Sequence, residues 1–273
     1  MYGKTLRLSR LINPDSKRTC IVPMDHGITL GPVDGIEDYL STLRRVAAGG
    51  VDCVILHKGL LKVVTQYPEL AKVRYIMHLS ASTVLAPDSN AKVLVSTVEE
   101  ALKLGADGVS IHVNLGTQNE TEMIKDFGKI AGACHEWGMP LLAMVYTFNK
   151  ANKDVTKIAH AARLAEELGA DLVKVDYPGT IEDTRKIING VRIPVLVAGG
   201  ARMDSSRKFM TMIDNALTAG AAGVAVGRNV FQSERPEIIT RLISRLIHGE
   251  LELSECLVQL SEYAPEFTRK VGI

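Results

Sequence analysis

The chain has 273 residues, 46% of them hydrophobic, 23% charged and 5% aromatic, with 32 Lys and Arg against 31 Asp and Glu. A formal net charge of +1 argues against a nucleic-acid-binding surface, which needs a clustered positive excess, and the apolar content excludes a disordered chain. No segment approaches the roughly 18 unbroken apolar residues of a membrane span, whereas the length suits one α/β barrel of about 250 residues.

The N-terminal MYGKTLRLSR is basic and lacks the apolar run of a signal peptide. Beyond it, short β-branched runs bounded by Gly, Pro or Asp predict strands over 20–24, 52–57, 76–83, 108–114, 141–146, 172–177, 194–198 and 223–226. Their starts are separated by about the length of one βα unit. The segment 92–96 competes with 76–83 for the third place. Helical patterns fill the gaps, as at 155–168 and 205–219, and the residues after about 251 predict an extra C-terminal helix.

One junction recurs: GGVDCVILH (49–57), LGADGVSIHV (104–113), LGADLVKVDY (168–177) and AGAAGVAVGR (219–228). Each is a helix end, a glycine suited to a left-handed C-cap, then a strand. Four copies of one joint and eight strands predict a (β/α)8 barrel, read as a single domain over residues 1–273. A doubly wound open sheet is the alternative, but no G-x-G-x-x-G follows the first strand. The four cysteines, Cys20, Cys53, Cys134 and Cys256, lie far apart with no C-x-x-C, and read as reduced thiols of a cytosolic protein.

In a barrel, strand residues alternate between the helices and the lumen, and the helix-facing ones must be apolar. Val173 and Val175 therefore face outward, leaving Lys174 and Asp176 in the lumen. A lysine there is costly unless paired or neutral, and a neutral amine is what a Schiff-base nucleophile requires. A structural Lys–Asp pair is the other reading. Asp25 and His26 follow the first strand, at the barrel face where active sites of this architecture sit. Asp25 suits a general base or a counter-charge for the lysine, or else a cap for its own loop, and His26 reads as a companion group or as the partner of a loop carbonyl. Tyr146 ends the fifth strand in phase with Leu142 and Met144, where a phenol can relay a proton, although taken alone it reads equally as an amphipathic side chain at a wet rim. Ser110, His112 and Asn114 form a polar lumen-facing row, with His112 as a supporting group or a satisfied core histidine.

The strands VLVAGGA (195–201) and VAVGRNV (224–230) both close on glycine. Backbone N–H groups at Gly199, Gly200 and Gly227, with the guanidinium of Arg228, suit a phosphate in the place where such barrels bind one. No H-x-H or H-E-x-x-H appears, and His57, His78 and His112 lie on different strands, so the spacing supports no metal. Three functions share these features: a carbon–carbon lyase or synthase acting on a phosphorylated ketone, a phosphosugar isomerase, and a non-catalytic phosphosugar sensor. Only the buried lysine favours the first.

MDHGITLGP, LVKVDYPG, VLVAGG and AVGRNVF resemble the archaeal-type class I fructose-bisphosphate aldolases and their relatives. Those relatives include 2-amino-3,7-dideoxy-D-threo-hept-6-ulosonate synthase and the synthase joining dihydroxyacetone phosphate to aspartate semialdehyde. The resemblance spans roughly residues 5–250. It implies a (β/α)8 barrel, no metal or other cofactor, and imine formation at Lys174, with Tyr146 shuttling protons and Asp25 as the strand-one acid. It further implies a donor site along Asp25, His26, Gly27, Ile28 and Thr29, a phosphate cradle at Gly199–Gly200 and Gly227–Arg228, and rings of five or ten subunits. The substrates implied are a phosphorylated ketone and an aldehyde. One departure stands out: the family's tyrosine opens a Tyr-Pro-Arg-Gly turn, whereas here Thr147, Phe148 and Asn149 follow Tyr146. The missing arginine leaves the acceptor open, with Lys150 and Lys153 as the nearby cations.

Overall fold

Short, nearly all-apolar strands must bury both faces, and a closed barrel wrapped in helices does this for eight of them at once. The computed structural model describes residues 2–148 and 154–263. Its strands are β1 (Thr19–Pro23), β2 (Cys53–Leu56), β3 (Arg74–His78), β4 (Ser80–Ala81), β5 (Val93–Leu94), β6 (Gly108–Leu115), β7 (Leu141–Thr147), β8 (Leu172–Asp176), β9 (Val195–Ala198) and β10 (Gly223–Ala225). A closed barrel runs β1-β10-β9-β8-β7-β6-β3-β2, every neighbour parallel. With helices between the strands, this is the (β/α)8 barrel that the spacing predicts.

The third strand differs from its prediction. β3 stops at His78, and Ser80–Ala81 turns away to pair antiparallel with Val93–Leu94, in the register Ser80↔Leu94 and Ala81↔Val93. The competing segment 92–96 is thus the partner of the predicted strand's end, in a ribbon outside the barrel. β6 and β7 run slightly beyond their predicted ends, because their ladder continues through Asn114↔Tyr146 to Leu115↔Thr147.

Strand alternation sorts the core into two. Val22, Val54, Met77, Val109, Val173, Val175, Val197 and Val224 pack outward with the helices. Ile21, Cys53, Ile55, Ile76, Leu142, Met144, Leu172, Leu196 and Ala225 fill the lumen. The lumen's floor is an element that the sequence pattern does not announce. Helix Tyr2–Leu11 lies across the N-terminal end of the barrel and inserts the fully buried Leu11, with Leu8 and Ile12 beside it. The predicted C-terminal helix is present at Leu253–Tyr263, burying Cys256 and Leu260 against helices Pro236–Ile247 and Ser206–Ala219. All four cysteines are free and buried. Among the described residues, no helix is long and apolar enough to cross a membrane.

The recurring junction has a structural job. Its glycines, Gly50, Gly105, Gly169 and Gly220, all take positive φ. In three copies the aspartate that follows reaches across to the start of the preceding strand and accepts its backbone N–H. Asp52 accepts from Cys20 at 2.6 Å, Asp107 from Tyr75 at 3.0 Å and Asp171 from Leu141 at 2.9 Å. The fourth copy has Ala222 instead. There the barrel closes so tightly that a Cβ on Gly223 would stand 1.9 Å from the carbonyl oxygen of Thr19.

Candidate active site

Above the apolar lumen, the C-terminal strand ends turn polar. β8 carries Lys174, which is 8% exposed and lies between Met144 of β7 and Leu196 of β9 in the ladder. Tyr146 ends the same face of β7, Asp25 and His26 leave β1, and Arg228 follows β10. These side chains share a cavity of about 290 Å³ with Thr29, His57, His78, Lys92, His112 and Asn114, among others. Lysine, carboxylate, phenol and guanidinium, predicted on four different strands, therefore meet at one mouth.

Asp25 is the electrostatic hub. Its Oδ1 lies 3.5 Å from His26 Nδ1 and its Oδ2 lies 3.8 Å from His78 Nε2. Burial would raise its carboxyl, but at the acidic pH where it titrates the protonated His78, His26, Lys174 and His57 outweigh that and hold it well below the usual carboxylate range. Asp25 is thus ionised, and its carboxylate turns to histidines rather than capping its loop. Burial moves Tyr146 the other way: desolvation first, then the charges of Asp176 and Asp25, push the phenol far above its ordinary value. It holds its proton until a strong base forms nearby. Burial is also the main cause that lowers His26, His57 and, to about 3, His78, so these rings are neutral near neutrality.

Two of these histidines escape the sequence reading as site residues. His57 and His78 follow or end successive barrel strands, and their rings meet edge to face at 5.2 Å. His78 Nδ1 bonds Ser110 Oγ at 2.8 Å, leaving Nε2 turned to Asp25. A signal exists all the same: VILH, YIMH and VSIH each place histidine at or near a strand's C-terminal end, which becomes one rim only when the barrel closes. His112 belongs to the same wall, its ring tilted at 47° to that of Tyr146 with centroids 4.8 Å apart, and bonded through Nε2 to Asn114 Oδ1 at 2.9 Å. Among the described residues, no three His, Cys, Asp or Glu side chains stand where they would share a metal ion.

Other predicted residues sit beside this cavity. Gly27 and Ile28 line an adjoining, largely apolar space of about 660 Å³ that also touches Asp25 and His57. Gly199, Gly200 and Asp176 line a cleft of about 690 Å³ at the ends of β8 and β9, with Arg202 and Arg207. Gly227 presses against β1, where a Cβ would stand 2.7 Å from both His26 Cε1 and the Pro23 carbonyl oxygen. The two glycine loops are joined by a residue that the sequence does not single out. Asn229 Nδ2 donates to the carbonyls of Gly199 and Ala201 at 3.0 Å, and its Oδ1 accepts from Met203 N–H at 2.8 Å. Thr147 and Phe148 are absent from the Lys174 cavity, and Phe148 is 59% exposed. Asn149, Lys150 and Lys153 lie outside the described residues.

Residues 19–233 match the family described as DeoC/LacD family aldolase. The chain belongs to that family. It is 45% identical over 252 residues to the 2-amino-4,5-dihydroxy-6-oxo-7-(phosphonooxy)heptanoate synthase of Streptomyces griseus, covering 91% of each chain. It is 42% identical over 257 residues to 2-amino-3,7-dideoxy-D-threo-hept-6-ulosonate synthase 1 of Archaeoglobus fulgidus, covering 94% of this chain and 95% of that one. Among solved structures it resembles an archaeal fructose-1,6-bisphosphate aldolase whose catalytic lysine is covalently bound to the carbinolamine intermediate of the substrate. The TM-score is 0.81 at 28% identity, over 90% of this chain and all of the other. The protein is a class I, lysine-dependent aldolase.

Proposed function

We propose that this protein joins dihydroxyacetone phosphate to aspartate semialdehyde through an imine at Lys174. One observation carries the reading: the buried lysine shares a single cavity with Asp25, Tyr146 and Arg228. The substrates follow from chemistry. The product named for the Streptomyces relative is a heptanoate with hydroxyls at C4 and C5, a ketone at C6 and a phosphonooxy group at C7. An aldol bond lies between the carbon α to a ketone and the carbinol beyond it, here C5 and C4. Breaking it returns dihydroxyacetone phosphate from C5–C7 and aspartate semialdehyde from C1–C4. The same cut in the Archaeoglobus relative's product gives the same acceptor half.

Lys174 Nζ, as the neutral amine, adds to the ketone carbon to form a carbinolamine. Tyr146 gives its proton to the departing hydroxyl, leaving water, an iminium and a phenolate. The phenolate then takes a proton from the adjacent hydroxymethyl carbon, restoring the phenol and producing the enamine. That carbon attacks the aldehyde, Tyr146 protonates the new alkoxide, and the phenolate activates the water that hydrolyses the product iminium. Asp25, held ionised, is the fixed counter-charge to the iminium at each stage. Arg228 takes the donor's phosphate as a charge-assisted contact.

Borohydride reduction in the presence of dihydroxyacetone phosphate should place the added mass on the peptide carrying Lys174, and the same donor with aspartate semialdehyde should yield the seven-carbon product. Label on Lys58 or another lysine overturns the assignment. Because the iminium is itself the electron sink, activity should persist in EDTA.

A further inference from the structure

The cavity holds two cations besides Lys174, and they come from different sides of the barrel. Arg228 follows β10, two strands from β8 in one direction, while Lys92 reaches in from the ribbon that extends β3, three strands from β8 in the other. The ribbon fixes where Lys92 acts. Lys92 Nζ donates to Ser82 Oγ, Ser82 Oγ donates to the Ser89 carbonyl at 2.7 Å, and Asn114 Nδ2 holds the Asn90 carbonyl at 2.8 Å. Its backbone is tied back to the barrel by Val95 N–H on the Leu79 carbonyl at 2.9 Å.

A donor anchored with its ketone at Lys174 and its phosphate at Arg228 exposes its nucleophilic carbon away from Arg228. The acceptor must approach from that side, and its far end extends further from Arg228 still. Among the described charged residues lining the cavity, only Lys92 offers a cation there. The seven-carbon product has an anion at each end, and the cavity has a cation at each flank.

We infer that Lys92 is the acceptor-specificity residue of this enzyme, binding the α-carboxylate of the amino-acid aldehyde. The inference rests on the donor and acceptor proposed above. The acceptor's cation then comes from the β4–β5 ribbon and not from the turn after Tyr146, where the resembling family carries arginine.

The test compares aspartate semialdehyde with propanal, the same aldehyde stripped of both charged groups, each with dihydroxyacetone phosphate. In Lys92→Met the ratio of kcat/KM for aspartate semialdehyde to that for propanal should fall about tenfold or more, the scale for losing a hydrogen bond to a charged group. The acceptor KM should move more than the donor KM, and Lys92→Arg should recover most of the ratio. An unchanged ratio in Lys92→Met overturns the inference and leaves the proposed function standing. Equal losses with both aldehydes overturn it too, since Lys92 would then serve the chemistry or the fold. Wild-type enzyme that makes no seven-carbon product overturns the proposed acceptor, and this inference with it.

Discussion

The two ends of the barrel use similar residues to opposite purposes. At the N-terminal end, Asp52, Asp107 and Asp171 each accept a backbone N–H and also meet a cation or its equivalent. Asp107 pairs with Arg10 at 2.9 Å, Asp171 with Lys4 at 2.9 Å and Asp52 with His248 at 3.0 Å. At the C-terminal end such closure is partial: His78 and His112 are hydrogen-bonded, but among the described residues His26 Nδ1, His57 Nε2 and Arg228 Nε have no hydrogen-bond partner. Buried polar groups are ordinarily satisfied, so the two ends differ in how completely the protein pairs its own polar atoms.

The strongest way to break this contrast is at Lys174. Lys174→Met should abolish turnover, with a loss on the order of 10⁶ in kcat, the scale for removing a covalent nucleophile. It should not lower the melting temperature, because a lysine amine in the lumen contributes little to stability compared with a well-packed apolar chain. A variant that unfolds at lower temperature would place Lys174 among the structural groups. Arg228→Ala comes next. It should weaken binding of dihydroxyacetone phosphate by about 1.5–3 kcal/mol and leave unphosphorylated dihydroxyacetone little affected. Equal losses for both donors, measured as kcat/KM, would remove Arg228 from the phosphate site.

Asp107→Ala probes the opposite end. It strips the Tyr75 amide and Arg10 of their shared partner, and should cost about 1–3 kcal/mol in denaturant unfolding, the penalty of a buried donor left unpaired. The kcat of the folded enzyme should stay at the wild-type value, since Asp107 is at the far end of the lumen from Lys174. A fall in kcat without a fall in stability would reverse the assignment of the two ends.

The contrast also explains what is legible in the sequence. Strand phase is a local property, so Lys174 between Val173 and Val175 can be assigned to the lumen without coordinates, and Tyr146 likewise from Leu142 and Met144. The junction glycines are legible for the same reason. What is not legible depends on closure. Helix Tyr2–Leu11 is mostly polar or exposed, and its purpose becomes visible only when Leu11 meets Ile21, Cys53 and Ile76 inside the barrel. His57 and His78 look unrelated along the chain, separated by a helix, yet they face one carboxylate. Lys92 sits in a segment that competes for a barrel strand and is instead carried to the site by a ribbon. The glycine pattern singles out Gly199, Gly200 and Gly227, but not Asn229, whose side chain ties the Gly199 carbonyl to the Arg228 loop.

The smallest expected effect is the most discriminating about charge, because histidines at the two ends titrate in opposite senses. His26, His57 and His78 are depressed, chiefly by burial, so the folded protein keeps them neutral. Their contribution is fully present above the ordinary histidine value and is lost as pH falls, for His78 down to about 3. His248 is raised, first by its hydrogen bond to Asp52, with Nδ1 bonded to Ser16 Oγ at 2.8 Å. Its contribution is fully present below the ordinary value and is lost as pH rises through the higher folded value. His248→Gln should therefore destabilise the protein more at about pH 6 than at about pH 9, by roughly 1 kcal/mol or less, because even a tenfold gain in proton affinity on folding contributes only about 1.4 kcal/mol. Urea unfolding of wild type and variant at both pH values measures it. The same destabilisation at both would mean that His248 serves Asp52 as a neutral donor. A larger one at the alkaline end would contradict the raised value and make the N-terminal histidine behave like those at the active-site mouth.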